Sequence, residues 1–256
     1  MTNKARAVIF DLDGTLIDSM SGFFNMVIEG LDRKGIRSTD RIISRIGTDL
    51  MEDYQLKSSK QRIGLIFKLF WKIGRKAGLS RPKTLIFTIE CVTKARKVYY
   101  SAPLFPDVIE SLTELHSAGF HLGVCTIASR KELMRILEKY DLTRFFNPKG
   151  LISRNDVKKI KPDPEGLLLA LKGCSVSPSN GTFLGDMPAD IIAGTRAGVT
   201  TIGLTTGLVS RKIFLQHSQP VMIFNSLKQA SKWILQTQLS EEVTMLDPNT
   251  NYSDIQ

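Results

Sequence analysis

The chain has 256 residues, 42% of them hydrophobic, and a formal net charge of +10, which are values of a globular protein with a sizeable core. Its three cysteines are widely separated and form no CxxC pair, which argues against a disulfide framework and against a zinc site. No apolar run approaches the roughly 18–20 residues of a membrane span and no signal peptide is evident, so we expect a cytoplasmic protein.

Short apolar segments that end in polar or glycine-containing turns recur along the chain. They are residues 5–10, 120–126, 182–185 and 200–204. Segments with helical signals, such as residues 131–139 and 164–171, separate them. Strands that alternate with helices predict an α/β fold with a doubly wound parallel sheet, in which ligands bind beyond the carboxyl ends of the strands.

One part of the chain lacks this alternation. Between residues 19 and 102, long helical periodicity replaces the short strands, which predicts an inserted helical domain. We therefore expect an α/β core made of residues 1–18 and 103–236, with residues 19–102 as the insert. The sequence becomes polar after Trp233, so residues 237–256 are expected to form a disordered tail.

The positive charge is concentrated in the insert. Residues 33–100 contain 17 Lys and Arg against five Asp and Glu, which leaves the rest of the chain slightly acidic. Lys68, Lys72 and Lys76 are spaced as on one face of a helix within an otherwise largely apolar segment. We interpret them as a solvated face of that helix. Attraction of an anionic substrate, or docking on an anionic membrane or a nucleic acid, are the alternatives.

Two aspartates follow the first predicted strand directly. Asp11 and Asp13 are two residues apart, so on an extended chain both carboxylates can face one cleft. Gly14 permits the chain to turn away from the sheet. A hard divalent cation such as Mg²⁺ would offset the repulsion between the carboxylates and screen the charge of an incoming phosphate. An ordinary Asp/Gly turn between two elements is the alternative.

The next two segments of interest carry groups that suit phosphate binding. Thr126 ends the second strand just before a predicted helix start at Ser129, where a hydroxyl and backbone N–H groups can bind phosphate. Ser129 and Glu132 also have the spacing of an ordinary capping box. Lys161 is fixed by the proline that follows it, just before a helix, although most lysines are merely solvated.

A fourth segment supplies a second pair of acids. Asp186 follows an apolar strand in a Gly-Asp turn, and Asp190 comes four residues later. We interpret Asp186 as a metal ligand. The alternative is that the two acids only cap a helix and interact with its dipole. Together the four segments offer a nucleophile, a hydroxyl, a lysine and an acid pair, which indicates a phosphate-ester site.

This set of motifs strongly resembles that of the haloacid dehalogenase superfamily, in its phosphatase branch, and is most similar to phosphoglycolate-phosphatase-like members. The four motifs occur in the family's order, at residues 11–16, Thr126, Lys161 and residues 185–190. The resemblance covers residues 5–208, and the insert stands where the family has its helical type 1 cap. Residues 45–47 are similar to a loop that those members place over the active site.

The resemblance implies a Mg²⁺-dependent phosphatase for a small-molecule phosphate monoester, such as phosphoglycolate or a sugar phosphate. Asp11 would be the nucleophile that forms an aspartyl-phosphate, and Asp13 would act as general acid and then as general base. Dehalogenases of the superfamily lack the aspartate that corresponds to Asp13, which argues against dehalogenation. A phosphomutase of the β-phosphoglucomutase type and a non-catalytic binding protein on the same fold are the alternatives.

The resemblance also implies the binding groups. The groups that would hold Mg²⁺ are the Asp11 carboxylate, the Asp13 backbone carbonyl and Asp186. Asp190 would orient this set and pair with Lys161. Thr126 and Lys161 would bind the phosphoryl oxygens of the substrate. We expect a small phosphate ester as the partner, and neither a nucleic acid nor a membrane surface, while the oligomeric state stays open.

Overall fold

A six-stranded parallel sheet forms the centre of the computed structural model, which describes residues 5–37, 62–207 and 209–246. The strands are β1 (Ala7–Phe10), β2 (His121–Cys125), β3 (Phe146–Ile152), β4 (Gly181–Gly185), β5 (Thr200–Leu204) and β6 (Met222–Phe224). Their order is β3-β2-β1-β4-β5-β6, and each neighbouring pair is parallel. The predicted α/β fold is confirmed, and β3 and β6 are additions to the predicted strands.

The helices connect the strands and cover both faces of the sheet. They are α1 (Ser19–Asp32), α2 (Arg62–Lys76), α3 (Arg81–Ser101), α4 (Val108–Ser117), α5 (Arg130–Lys139), α6 (Glu165–Gly173), α7 (Pro188–Ala197), α8 (Arg211–His217) and α9 (Leu227–Leu246). From β1 the chain builds outward through β2 to β3 and then returns to the other side of β1 at β4. Such a reversal opens a crevice at the carboxyl ends of the central strands.

The first strand is central because all four of its residues are buried. Val8 and Phe10 belong to the larger apolar cluster on one face of the sheet, whereas Ala7 and Ile9 belong to a second cluster with Phe183. Helices cover both faces of a parallel sheet, so an uninterrupted apolar run is the expected sequence of such a strand. β1 pairs in register with β2 and with β4, which places the carboxyl ends of these three strands side by side.

Helices α1, α2 and α3 pack against one another and form an apolar cluster of their own. Phe70 of α2 lies edge-on to Phe87 of α3, with ring centroids 6.4 Å apart, and Leu31 of α1 belongs to the same cluster. Each helix therefore has the apolar face that the helical periodicity predicts. The separate cluster supports a helical insert, and we propose residues 19–102 as its bounds.

The last helix extends further than the sequence predicts. α9 runs to Leu246, whereas disorder is predicted from residue 237. Leu227 and Ile234 anchor the helix on the core, and no Gly or Pro follows them until Pro248. Because no residue in this stretch breaks a helix, the hydrogen-bonded ladder continues beyond the anchored turns. The tail prediction for residues 247–256 lies outside the described residues.

Two further predictions concern the insert. The loop similarity at residues 45–47 lies outside the described residues. The predicted lysine stripe is on α2, where Lys68 and Lys76 are exposed and Lys72 is partly buried. Across the described ranges, no helix combines the length and the apolar character that crossing a membrane requires.

Candidate active site

The turn after β1 and the turn after β4 meet at the carboxyl edge of the sheet. Asp11 follows β1, and its backbone N–H donates to Leu184 O at 2.9 Å, which continues the strand pairing. The chain then turns at Gly14, whose φ of +76° is the left-handed conformation that favours glycine. A Cβ at Gly14 would stand 2.2 Å from Asp186 Oδ2. Glycine therefore provides both the turn and the room for the Asp186 carboxylate.

A buried lysine joins two carboxylates at this edge. Lys161 Nζ lies 2.7 Å from Asp11 Oδ1 and 2.6 Å from Asp190 Oδ1. Nζ also donates to the backbone carbonyl of Cys125, at the end of β2, at 3.1 Å. The three charged side chains are at most 7% exposed, so little water screens their interactions. Lys161 thus contacts both Asp11, the predicted nucleophile, and Asp190, its predicted partner.

Burial and neighbouring charges set the ionisation of these groups. Burial raises the pKa of Asp11 from 3.8 to about 7, against the charge of Lys161, which lowers the pKa, while Asp190 and Asp13 raise it. Burial alone would lower the pKa of Lys161, but Asp11 and Asp190 together raise it above its ordinary value. Lys161 is therefore protonated, and its charge favours the ionised form of Asp11.

Asp186 is a buried carboxylate with an unused oxygen. Among the described residues its Oδ1 finds no hydrogen-bond partner, and burial, with Asp190 and Asp11, raises its pKa well above the ordinary value. Oxygens of Asp11, Asp186 and Asp190 lie within 4.8 Å of one another. When ionised, these three carboxylates outnumber the single positive charge of Lys161, and an all-carboxylate set suits a hard divalent cation. The residues therefore fit the predicted metal.

The loop after β5 also encloses the Asp186 carboxylate, and none of the four sequence motifs predicts this. Thr206 Oγ1 donates to the backbone carbonyl of Gly14 at 2.5 Å. A Cβ at Gly207 would stand 1.8 Å from Asp186 Oδ2. The signal in the sequence is a Thr-Thr-Gly turn directly after a predicted strand, at the edge where the other polar groups lie. This turn therefore encloses the Asp186 carboxylate together with the turns after β1 and β4.

Thr126 lies at the end of β2 beside the lysine. Its side chain is buried, and its Oγ1 accepts a hydrogen bond from the Ala128 N–H at 3.0 Å. Thr126 and Lys161 line the same pocket. Ser129 and Glu132 form a capping box at the start of α5, as the alternative interpretation of this segment predicts. The capping box is formed by Ser129, whereas Thr126 faces the pocket.

Asp190 contributes to a helix and to the site at the same time. In the first turn of α7, its Oδ2 accepts a hydrogen bond from the Met187 N–H at 3.0 Å, while its Oδ1 contacts Lys161. A Cβ at Gly185 would stand 2.4 Å from Asp190 Oδ2, so this approach requires a glycine. Helix capping and contact with the site, the two interpretations of Asp190, are therefore both observed.

Asp13 lies at the outer side of the cluster. It is partly exposed, and its side chain is not part of the group formed by the other three carboxylates. Its Oδ2 lies 3.4 Å from the hydroxyl of Tyr99, which comes from the last turn of α3. The carboxyl of Asp13 therefore faces the region between the core and the helical insert.

Comparison with known proteins identifies the family. A family model for haloacid dehalogenase-like hydrolases matches residues 8–204, which include all four predicted motifs. The chain belongs to this family. The phosphoglycolate phosphatase of Salmonella paratyphi A is 30% identical to this haloacid dehalogenase-like hydrolase over 232 residues, which are 86% of this chain and 89% of that protein. The resemblance to phosphoglycolate-phosphatase-like members is confirmed, and the chain is an enzyme.

Solved structures share the architecture of this haloacid dehalogenase-like hydrolase. A protein of Bacteroides fragilis, assigned to the same family, is 26% identical, with a TM-score of 0.61 over 89% of this chain and 100% of that one. A Thermotoga maritima protein assigned as a β-phosphoglucomutase is 21% identical, with a TM-score of 0.68 over 90% of this chain and 99% of that one. At 21% identity, the similarity to the Thermotoga maritima protein shows the fold alone.

The fold of this haloacid dehalogenase-like hydrolase brings together all the site residues predicted from the sequence. They are Asp11, Asp13, Thr126, Lys161, Asp186 and Asp190, and all lie beyond the carboxyl ends of β1, β2 and β4 or beside them. The structure adds Thr206 and Gly207 from the loop after β5, and Tyr99 from α3. The additional residues come from segments outside the four motifs.

Proposed function

We propose that this chain is a Mg²⁺-dependent phosphatase that hydrolyses a small-molecule phosphate monoester through an aspartyl-phosphate on Asp11. The observation that carries the proposal is the position of Lys161, with Nζ 2.7 Å from Asp11 Oδ1 and 2.6 Å from Asp190 Oδ1 in a buried group of carboxylates. Strongly perturbed ionisable groups that converge in one crevice favour a catalytic role over a purely structural one.

Asp11 is the nucleophile in this proposal. Its backbone N–H is bound to Leu184 O, so its carboxylate is held at the end of β1. The charge of Lys161 lowers the pKa of Asp11 and thus favours the carboxylate form, which is the form that attacks phosphorus. Attack makes the bond between Asp11 and phosphorus and breaks the bond between phosphorus and the ester oxygen, which leaves as the alcohol.

The metal-binding groups in this proposal are the Asp11 carboxylate, the Asp13 backbone carbonyl and the Asp186 carboxylate. Bound Mg²⁺ would offset the negative charge of the cluster and polarise the phosphoryl group. Asp190, fixed by the Met187 N–H and by Lys161, would orient these groups from outside. Among the described residues Oδ1 of Asp186 has no hydrogen-bond partner, which supports this arrangement, because a buried carboxylate oxygen without a donor is costly.

Asp13 transfers the protons in this proposal. As the acid it protonates the departing alkoxide, and as a carboxylate it then removes a proton from the water that attacks the aspartyl-phosphate. Its partial exposure and its position outside the group of three carboxylates support this role, because a proton shuttle has to reach the substrate and water. Hydrolysis by that water releases phosphate and regenerates Asp11.

Lys161 and Thr126 bind the transferring phosphoryl group in this proposal. Lys161 is fixed by two carboxylates and by Cys125 O, so its ammonium group is in place before the substrate arrives. Thr126 lines the same pocket, at the N-terminal side of α5. Fixed donors at the position where negative charge develops lower the barrier more than mobile donors do.

The substrate class follows from the relatives. A relative named phosphoglycolate phosphatase is 30% identical over most of both chains. We therefore propose phosphoglycolate-like esters or sugar phosphates as the substrates.

The test is phosphate release from a panel of esters in the presence of Mg²⁺, by wild type, Asp11→Asn and a control, Asp141→Asn. Asp141 is on the surface, and its φ of +52° is one that asparagine also adopts. We expect the wild type and the control to release phosphate and Asp11→Asn to be inactive. Rapid quenching with substrate labelled in its phosphoryl group should place the label on wild type and on the control, but not on Asp11→Asn. A mutase would instead return the phosphate to a second hydroxyl of a sugar phosphate.

A further inference from the structure

The last turn of α3 belongs structurally to the core, although the rest of the helix belongs to the insert. Phe87 and Cys91 of α3 lie in the apolar cluster of α1, α2 and α3. Tyr99 and Tyr100, farther along the same helix, pack instead against the cluster that covers the sheet. α3 thus passes from one apolar cluster to the other, and Tyr99 is on the core side of that boundary.

Contacts with α5 hold this turn in place. Lys139 Nζ donates to Tyr100 O at 2.8 Å, and the Tyr140 hydroxyl donates to Ala102 O at 2.6 Å. The guanidinium of Arg135 lies 4.2 Å from the centre of the Tyr100 ring. Carbonyl groups at a helix C-terminus lack partners within the helix, so the donors from α5 and from Tyr140, which follows it, fix the end of α3. The backbone on both sides of Tyr99 is therefore well defined.

The chain that leaves α3 also pairs with the chain that carries the catalytic motif. The Asp18 N–H donates to Pro103 O at 2.9 Å, and the Phe105 N–H donates to Leu16 O at 3.1 Å. Two backbone hydrogen bonds in opposite directions tie the two segments together just beyond the loop that contains Asp13. The turn with Tyr99 and the loop with Asp13 therefore keep a fixed relative position.

The Tyr99 side chain bridges these two segments. Its hydroxyl lies 3.4 Å from Asp13 Oδ2 and is partly buried. The rings of Tyr99 and Tyr100 meet edge to face, with centroids 5.7 Å apart, which limits the positions that the Tyr99 ring can take. A phenol is a donor at neutral pH, and a carboxyl oxygen accepts, so the contact has matching polarity.

We propose that Tyr99 is a positioning residue for Asp13. A hydrogen bond to Oδ2 fixes the plane of the Asp13 carboxyl group and therefore the direction of its other oxygen, through which the proton passes to the leaving group. The inference rests on the proposed function, because it requires Asp13 to be the proton donor. It assigns a role in the reaction to a residue in the last turn of α3, outside the four motifs.

The test compares Tyr99→Phe with a matched control, Tyr100→Phe, on two classes of ester. kcat/KM reports the steps through cleavage of the ester bond, and an alkyl leaving group needs the proton whereas p-nitrophenolate does not. For Tyr99→Phe we expect kcat/KM to fall by about five- to tenfold with phosphoglycolate, as for a lost side-chain hydrogen bond, and to hold with p-nitrophenyl phosphate. Tyr100→Phe keeps the ring beneath Arg135 and should match wild type on both esters.

Asp13→Asn in the same assays separates this inference from the proposed function. If Asp13→Asn loses the alkyl ester selectively and Tyr99→Phe does not, the acid role of Asp13 stands and the positioning role of Tyr99 is wrong. An equal loss on both esters by Tyr99→Phe would also overturn it, because a general structural defect would affect both. If Asp13→Asn keeps full activity on the alkyl ester, the acid role fails and this inference fails with it. The double variant should be no slower than Asp13→Asn alone, because Tyr99 acts through Asp13.

Discussion

Gly207 lies so close to Asp186 that a Cβ on the glycine would stand 1.8 Å from Asp186 Oδ2. The φ of Gly207 is outside the left-handed region, so alanine is compatible with the backbone there and only the contact with Asp186 opposes it. One oxygen of the Asp186 carboxylate has no hydrogen-bond partner among the described residues, so this carboxylate is available to a bound cation. The loop after β5 therefore controls where the Asp186 carboxylate can lie.

The first prediction is that Gly207→Ala weakens Mg²⁺ binding by at least about tenfold while the chain remains folded, because the methyl group displaces Asp186. Calorimetric titration of the metal-free protein with Mg²⁺ measures the affinity directly. Gly203→Ala, on β5, is the control, because its Cβ would meet the ring of Phe214 at 3.3 Å and not the site. An unchanged affinity in Gly207→Ala would remove Asp186 from the set of ligands.

The second prediction concerns pH and Mg²⁺ in the wild type. The folded-state pKa of Asp11, about 7, is above its ordinary 3.8, so the folded state binds the proton more tightly than the unfolded state. Without metal, the free energy of unfolding should therefore fall as the pH rises from about 4 to about 7. Burial also raises the pKa of Asp186, which adds to this dependence on pH. Mg²⁺ should raise Tm more at pH 8 than at pH 5, since protons compete with it at pH 5.

Thermal unfolding in EDTA and in Mg²⁺ at the two pH values measures this effect. Asp11→Asn should be less sensitive to pH in EDTA and more stable than wild type at pH 8, because it removes a buried charge. Its turnover should nevertheless fall by at least about a thousandfold, because an amide is a poor nucleophile. A Mg²⁺ shift of equal size at pH 5 and pH 8 would contradict the assignment of these carboxylates as ligands.

The third prediction is that Lys161→Met destabilises the metal-free protein by about 3 kcal/mol at pH 8, because it leaves buried carboxylates without their cation. The loss of stability should be smaller at pH 5. Removing Lys161 raises the folded-state pKa of Asp11 further, so protonation at low pH relieves the repulsion. Chemical denaturation at the two pH values tests this. Lys159→Met is the control, because the Lys159 side chain is 75% exposed; equal losses in both variants would contradict the prediction.

The fourth prediction concerns the lysine stripe on α2. Changing Lys68, Lys72 and Lys76 together to glutamine should leave kcat/KM for phosphoglycolate unchanged at low and high ionic strength, as expected for a surface face. A lower kcat/KM that no longer depends on salt, with kcat unchanged, would instead show that the stripe attracts the substrate. Sedimentation of the wild type, but not of the variant, with phosphatidylserine vesicles would show membrane docking.

Much of the site could be predicted from the sequence because of one property of parallel sheets. Apolar segments mark the strands, and the polar residue that follows each strand lies at the same edge. Asp11, Thr126 and Asp186 each follow a strand in this way, so their types and order indicated a phosphate site. β3 and β6 were not predicted, since Pro148 and Lys149 interrupt one strand and the other has only three residues.

The sequence by itself determined the α/β class, the helical insert and the four motifs, because each depends on neighbours in the chain or on the shared edge of the sheet. Only the tertiary structure decided what surrounds them. Thr206 binds Gly14 across 192 positions of sequence, and Tyr99 reaches Asp13 across 86. Contacts of this kind leave no local pattern, because a threonine or tyrosine that binds the site has the same neighbours in sequence as one that faces water. Packing of distant segments, and not propensity or periodicity, brings these residues to the site.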